Sequence, residues 1–135
     1  MFMKKIIISI VTLFTVLLFN SGSLAQNPAT VQTTGFEVIQ FHSEHRCVTC
    51  VKIEKLTRAT LAKTYPAIPF RLINADDKKN AKIAEQFEAT GTALFLYNAK
   101  TGKKKNLTEF AFMKAGNETA FDAELKKFIT DFLKD

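Results

Sequence analysis

The stretch FEVIQFHSEHRCVTCVKIE, residues 36–54, decides the fold and contains both cysteines of the chain. Its first part, Phe36–Phe41, is rich in strand-forming residues and predicts a buried β-strand. A loop then leads to the two cysteines, Cys47 and Cys50. From Cys47 to about Lys63 the residues favour a helix. The buried face of this helix is predicted by residues at helical spacing, which are Ile53, Leu56, Thr60 and Leu61.

The rest of the domain continues this alternation of strands and helices. The pattern predicts a second strand over Pro69–Asn74, a short helix from Asp76 or Asp77 to Phe87, a third strand over Ala93–Tyr97, a turn over 98–102, a fourth strand over Asn106–Phe112 and a final helix from Thr119. A helix joins the first two strands, so they should be parallel, and a tight turn makes the last two antiparallel. The predicted class is α/β, with the order β-α-β-α-β-β-α and a four-stranded mixed sheet flanked by helices.

Apolar residues at helical spacing predict which faces of the later helices are buried. In the short helix they are Ala81, Ala84 and Phe87, and an aspartate caps its start. In the final helix they are Phe121, Leu125, Phe128, Ile129 and Phe132. Thr119 with Asp122 resembles a capping box at the start of the final helix.

The first 25 residues have the three parts of a secretory signal peptide. Lys4 and Lys5 form a basic region, Ile6–Phe19 is apolar, and the small residues Ser23 and Ala25 form a cleavage signal. A transmembrane anchor is the alternative, but the apolar run is shorter than the roughly 18–20 residues that cross a bilayer. We therefore expect a cleaved signal peptide over residues 1–25, a flexible leader over 26–34, and one domain over 35–135. The domain is expected in the bacterial periplasm or outside the cell, with the signal peptide as its only membrane contact.

Charge favours neither a nucleic acid nor a membrane surface as the partner. The formal net charge of the 135 residues is +6, and it falls to +4 without Lys4 and Lys5. The one tight basic run, Lys103–Lys105, follows a predicted turn and is typical of a solvated turn rather than of a nucleic-acid or phospholipid patch. We expect a monomer with no nucleic-acid partner.

The pair of cysteines can be interpreted as a structural staple or as a redox site. A disulfide that closes so short a loop stabilises a fold by only about 2 kcal/mol, against about 3 kcal/mol for a loop of about 15 residues. A cysteine in the first turn of a helix, by contrast, faces the positive end of the helix dipole, which favours the reactive thiolate. Arg46 and, when protonated, His45 add positive charge that tunes the pKa of the thiol. The strand–loop–helix context of Cys47 and Cys50 therefore favours the redox interpretation.

With the order of elements that follows it, the stretch 36–54 resembles the thioredoxin-fold proteins over about residues 35–133. The resemblance implies that Cys47 is the exposed nucleophile and that Cys50 resolves the mixed disulfide. It also implies a minimal version of the fold, because the extra N-terminal strand and helix of full thioredoxin are missing.

Three positions depart from the pattern of that family. Arg46 stands where a tryptophan precedes the first cysteine, and Gln40 lies in the region of a buried aspartate. The loop that contains the family's cis-proline and binds substrate falls at Thr92-Ala93, with Ala93 in place of proline. A cis bond before a residue other than proline costs about 3 kcal/mol, so we expect a trans peptide there.

These observations predict a thiol–disulfide oxidoreductase that exchanges disulfides with protein thiols. Its only redox group would be the Cys47–Cys50 disulfide, with no further cofactor. One alternative is a module that binds or delivers a soft metal ion such as Cu(I), in which His42 and His45 complete the ligand set. Another is a thioredoxin-fold binding protein whose disulfide is not turned over.

Overall fold

The computed structural model describes residues 35–135, so the predicted signal peptide and leader lie outside the described residues. Its elements are β1 (Phe36–His42), α1 (Val48–Thr64), β2 (Phe70–Asn74), a 3₁₀ turn (Lys78–Asn80), α2 (Ala81–Gln86), β3 (Ala93–Asn98), β4 (Lys104–Asn106), α3 (Thr108–Lys114) and α4 (Glu118–Lys134). The predicted α/β class is confirmed. In the part of the chain that the structure describes, no helix combines the length and apolar character needed to cross a bilayer.

The four strands form one mixed sheet in the order β2-β1-β3-β4. Strand β2 is parallel to β1, with Phe41 opposite Ile73, and β3 is antiparallel to β1, with Phe41 opposite Ala93. Strand β4 is antiparallel to β3. Both predicted orientations are confirmed. The carboxyl end of β1 therefore lies between two neighbours, and the loop that leaves it carries the cysteines.

Alternate residues of β1 face two separate cores. Val38 packs with α1, α3 and α4, whereas Ile39 and Phe41 pack with the segment around α2. We call this second core the α2-side core; its buried residues are Ile39, Phe41, Ile73, Ala84, Phe87, Ala89, Ala93 and Phe95. The four predicted core residues of α1 are all buried, and so are Phe121, Leu125, Ile129 and Phe132 of α4, with Phe128 packed beside them.

The prediction for the short helix is correct at two of its three apolar positions. Ala84 and Phe87 are buried, but Ala81 is exposed. A 3₁₀ turn precedes α2, and its tighter winding changes the face that the first residue of α2 presents. Asp77 caps this 3₁₀ turn, since its carboxylate accepts from the Lys79 N–H at 3.0 Å, whereas Asn80, the residue before α2, makes no side-chain cap.

The predicted fourth strand over Asn106–Phe112 is wrong in its extent. Strand β4 ends at Asn106, and α3 begins at Thr108. The Asn106 side chain accepts from the Thr108 N–H at 2.9 Å, and the Thr108 hydroxyl accepts from the Leu94 N–H at 3.1 Å. These side-chain acceptors turn the chain away from the ladder. The apolar residues that suggested a strand, such as Ala111, pack as one face of a helix instead.

The predicted capping box of the final helix is also wrong. Helix α4 begins one residue earlier, and the Asn117 side chain caps it by accepting from the Ala120 N–H at 3.0 Å. Asp122 instead accepts from the Thr60 hydroxyl at 2.9 Å and from the Lys126 ammonium at 2.6 Å. It therefore links α4 to α1, which the spacing from Thr119 alone does not reveal.

The basic run at the β3–β4 turn covers aromatic rings. Lys103, Lys104 and Lys105 each place their ammonium 5.0 to 5.3 Å from the centroid of a phenylalanine ring. All three lysines are exposed, as the prediction of a solvated run requires. Strand β4 is an edge of the sheet, and lysines on an edge strand oppose pairing with another chain.

We predict that Phe87→Ala destabilises the oxidised protein by about 3–5 kcal/mol, because it empties the centre of the α2-side core. The Phe87 ring lies 5.4, 5.1 and 5.0 Å from the rings of Phe41, Phe95 and Tyr97. Urea unfolding measures the loss. Phe112→Ala is the matched control: this ring is 42% exposed on α3, and its removal should change stability by less than about 1 kcal/mol. Equal losses for the two variants would contradict the assignment of the core.

Candidate active site

Cys47 and Cys50 form a disulfide in which the two residues differ sharply in exposure. Their Cα atoms are 5.1 Å apart. Cys47 is exposed and stands at the position just before α1, whereas Cys50 lies in the first turn of α1 and is only 5% exposed. A molecule that approaches the site therefore meets the sulfur of Cys47 first.

The loop before Cys47 is held in place by contacts with other segments. The Glu44 N–H donates to the Asp76 carboxylate at 2.8 Å. On the other side, a Cβ atom placed on Gly91 would lie 3.4 Å from the Ser43 hydroxyl oxygen, so the loop before β3 runs close to this one. Segments that precede α2 and β3 thus flank the route from β1 to Cys47.

The sulfur of Cys47 caps the amino end of α1. Cys47 has an extended backbone, and its Sγ accepts from the Cys50 N–H at 3.1 Å. Its carbonyl accepts from the Val51 N–H at 3.1 Å, which begins the helical ladder. An oxygen of serine, threonine, aspartate or asparagine usually fills this role. Unpaired N–H groups and the positive end of the helix dipole therefore surround the Cys47 sulfur, and both stabilise a thiolate once the disulfide is reduced.

The positive charge of Arg46 is shared with a carboxylate about two turns into the helix. Arg46 forms an ion pair with Glu54, and Arg58 binds the other oxygen of the same carboxylate at 2.8 Å. Burial tends to raise the pKa of Glu54, but hydrogen bonds and charge from both arginines outweigh it, and the pKa lies below its usual value. The cluster of two arginines and one carboxylate therefore carries one net positive charge, and Arg46, the residue before Cys47, belongs to it.

A buried amide lies behind the disulfide. Gln40 is fully buried in β1, and its Nε2 donates to the carbonyl of Cys50 at 3.0 Å. Its Oε1 is buried and has no hydrogen-bond partner within residues 35–135. The amide ties β1 to the first turn of α1, and it places a neutral group, with no titratable proton, behind the second cysteine.

Thr92 and Ala93 lie at the start of β3. No cis peptide bond occurs among the described residues, so the trans bond expected before Ala93 is present. Ala93 pairs with Phe41 and is 9% exposed, packed in the α2-side core. It is therefore a buried residue of the strand, whereas Thr92 is half-buried just before it.

The two histidines differ in their surroundings. His42 is half-buried at the end of β1 with its Nδ1 2.8 Å from the Ser43 carbonyl oxygen, and His45 is exposed. Within residues 35–135 no three or more His, Cys, Asp or Glu side chains come together in a group that could hold a metal ion.

Comparisons with known proteins found no match, so the role of the site is argued from its geometry alone. No family model matches the chain, and searches of curated proteins and of solved structures returned no match.

The sequence did single out Cys47, Cys50 and Arg46, but it gave no role to Glu54 or to the amide of Gln40. The available signal for Gln40 was a polar residue between the apolar residues Ile39 and Phe41 of a predicted buried strand.

We predict that iodoacetamide labels Cys47 much faster than Cys50 in the reduced native protein, because only Cys47 is exposed. Its labelling rate should rise with a midpoint below pH 8.5, about the ordinary thiol pKa, because the helix terminus stabilises the thiolate. Peptide mapping after short exposure measures both rates. Equal labelling of Cys50, or a midpoint above about 8.5, would contradict the assignment.

Two charge variants serve as controls for the electrostatic part of this prediction. Glu54→Gln leaves Arg46 uncompensated and should lower the midpoint for Cys47. Arg46→Gln should raise it. Each shift should be less than about one pH unit, because solvent still reaches both half-buried side chains and screens their charges. Shifts in the same direction would show that Arg46 does not act through its charge.

Proposed function

We propose that this chain is an exported thiol–disulfide oxidoreductase with a thioredoxin-like architecture. The observation that carries the proposal is the asymmetric disulfide at the amino end of α1. The sulfur of the exposed residue Cys47 caps the helix, and its bonded partner Cys50 is buried one turn further on. A nucleophile needs exposure and a stabilised thiolate, and a resolving thiol needs proximity and shielding from outside disulfides.

The exchange reaction uses the two sulfurs in sequence. In the reduced protein the Cys47 thiolate attacks one sulfur of a substrate disulfide, and the other substrate sulfur leaves as a thiolate. Cys50, after losing its proton, then attacks the Cys47 sulfur of the mixed disulfide. The substrate leaves with both sulfurs reduced, and the Cys47–Cys50 disulfide forms again. Two electrons pass from protein to substrate, and the reverse sequence oxidises a dithiol.

A purely structural role for the disulfide explains less of the site. The bond closes a loop between residues three positions apart, which is worth only about 2 kcal/mol in the loop-entropy treatment. Cys47 and the first turn of α1 are already joined by the sulfur cap and by the bond from the Val51 N–H to the Cys47 carbonyl, and the amide of Gln40 ties that turn to β1. Stability also gives no reason for one of the two sulfurs to be exposed.

The proposed compartment and partners follow from the same chemistry. The signal-peptide pattern over residues 1–25 favours export to the bacterial periplasm, where disulfides form and persist. Protein thiols and disulfides are the proposed substrates. The thioredoxin-like architecture is supported by the four-stranded mixed sheet and by the C-x-x-C pair at the start of the helix after the first described strand.

We predict that Cys50→Ser accumulates mixed disulfides with partner proteins through Cys47. The substituted protein lacks the thiol that releases the partner, so the intermediate persists. Non-reducing gels of cells that express the variant, quenched with acid, would show the adducts, and reduction should remove them.

Cys47→Ser is the matched control, because the one thiol that it keeps, that of Cys50, is buried. It should give no adducts above the background of the wild type. Adducts with both variants would indicate non-specific oxidation, and adducts with neither would show that the disulfide is not turned over.

A further inference from the structure

The exposed face of α1 carries apolar and basic residues directly beside Cys47. Val48, Val51, Lys52 and Lys55 follow the i, i+3, i+4, i+7 spacing of one helix face, opposite the buried face. Val48 is 87% exposed and Val51 is 46% exposed. Across residues 35–135 four large apolar side chains are exposed, and two of them lie here.

These side chains line a shallow groove. Together with Arg46 and with Glu118 at the start of α4 they enclose about 530 Å³. The charges of the groove are predominantly positive. Glu54 is engaged by Arg46 and Arg58, and neither Lys52 nor Lys55 forms an ion pair with a carboxylate of the described range. Glu118 is the one acidic residue in the lining.

We infer that this groove binds the segment of a redox partner that flanks its reactive cysteine, and that this segment combines an apolar side chain with carboxylates. The inference rests on the proposed oxidoreductase function and names the class of substrate. Contact with an apolar side chain removes the surface of the exposed valines from water. Carboxylates of the partner attract the lysines, which have no ion-pair partner among the described residues.

The length of the groove sets the spacing of the partner's residues. A helix rises about 1.5 Å per residue, so Val51 lies about 6 Å and Lys55 about 12 Å along the axis from Cys47. An extended chain covers about 3.3 Å per residue. The apolar side chain of the partner should therefore stand about two positions from its cysteine, and its carboxylates about three to four positions away.

Three synthetic peptides test the inference, each with one cysteine joined to thionitrobenzoate by a disulfide. One has leucine and two aspartates at the positions just given, the second has leucine and two lysines, and the third has serine and two aspartates. Release of thionitrobenzoate by the reduced protein gives the rates. Hydroxyethyl disulfide, which is uncharged and too small to reach the groove, gives the intrinsic reactivity of Cys47 as a reference.

At low ionic strength the leucine–aspartate peptide should react about tenfold faster than the leucine–lysine peptide, relative to the reference. It should react about threefold or more faster than the serine–aspartate peptide, because serine cannot cover the valines. The ratio of the leucine–aspartate rate to the leucine–lysine rate should fall towards one in about 0.5 M NaCl, because salt screens the charges. Equal rates in either comparison, or a faster leucine–lysine peptide, would overturn the inference while the proposed function stands. If none of the peptides reacts, both proposals fail.

Variants of the groove separate docking from reactivity. Lys52→Glu with Lys55→Glu should reverse the preference for charge, and Val51→Ser should remove the preference for leucine. Lys63→Glu, compared with Lys55→Glu alone, makes the same charge change about 12 Å farther along the same helix and should leave all ratios unchanged. The same loss of preference in Lys63→Glu would show a general charge effect and overturn the groove. If the leucine–aspartate peptide loses its faster rate as the protein concentration rises, a second copy of the chain occupies the groove. This result would also overturn the inference.

Discussion

Helix α1 begins at a sulfur atom, and the arrangement of the site depends on that cap. The Cys50 N–H, which would otherwise lack an acceptor in the first turn, donates to the Cys47 Sγ. The same atom is bonded to the sulfur of Cys50 and belongs to a residue that is exposed to solvent. One atom therefore caps the helix, closes the disulfide and faces an incoming reactant. The buried strand β1 and the tethered loop after it fix where the helix can start.

The environment on the two sides of the disulfide differs in charge and in water access. Towards solvent stand Arg46, compensated in part by Glu54, and the lysines of α1. Towards the core stands the neutral amide of Gln40, with one buried oxygen unpaired. A buried polar atom without a partner costs roughly 1–3 kcal/mol, so an apolar residue would suit this place better if stability alone mattered. The amide nevertheless holds the carbonyl of Cys50, which keeps the inner sulfur in a fixed position.

The sequence predicted best those elements whose patterns are set by local periodicity and a tight turn. The apolar face of α1 and the turn before β4 depend on residues close in the chain, and the parallel pairing of β2 follows from the helix that joins it to β1. All three are present. The errors occurred where a distant contact decided the outcome. The Thr108 hydroxyl binds the Leu94 backbone and turns a predicted strand into α3, and Asp122 bonds to α1 rather than capping its own helix.

At the site the same division holds. A C-x-x-C pair in a strand–loop–helix context was readable from the sequence, because the motif is local. Burial of Cys50, the pairing of Arg46 with Glu54 and the amide contact of Gln40 depend on how α1 lies on the sheet, and no short-range pattern encodes that placement.

The equilibrium reduction potential of the Cys47–Cys50 disulfide, measured in a glutathione redox buffer, tests the central claim most directly. A disulfide that is turned over should have a potential between about −270 and −120 mV, the range of known thiol–disulfide oxidoreductases. A value below about −300 mV would place it among structural disulfides that resist reduction by glutathione, and it would contradict the proposed function.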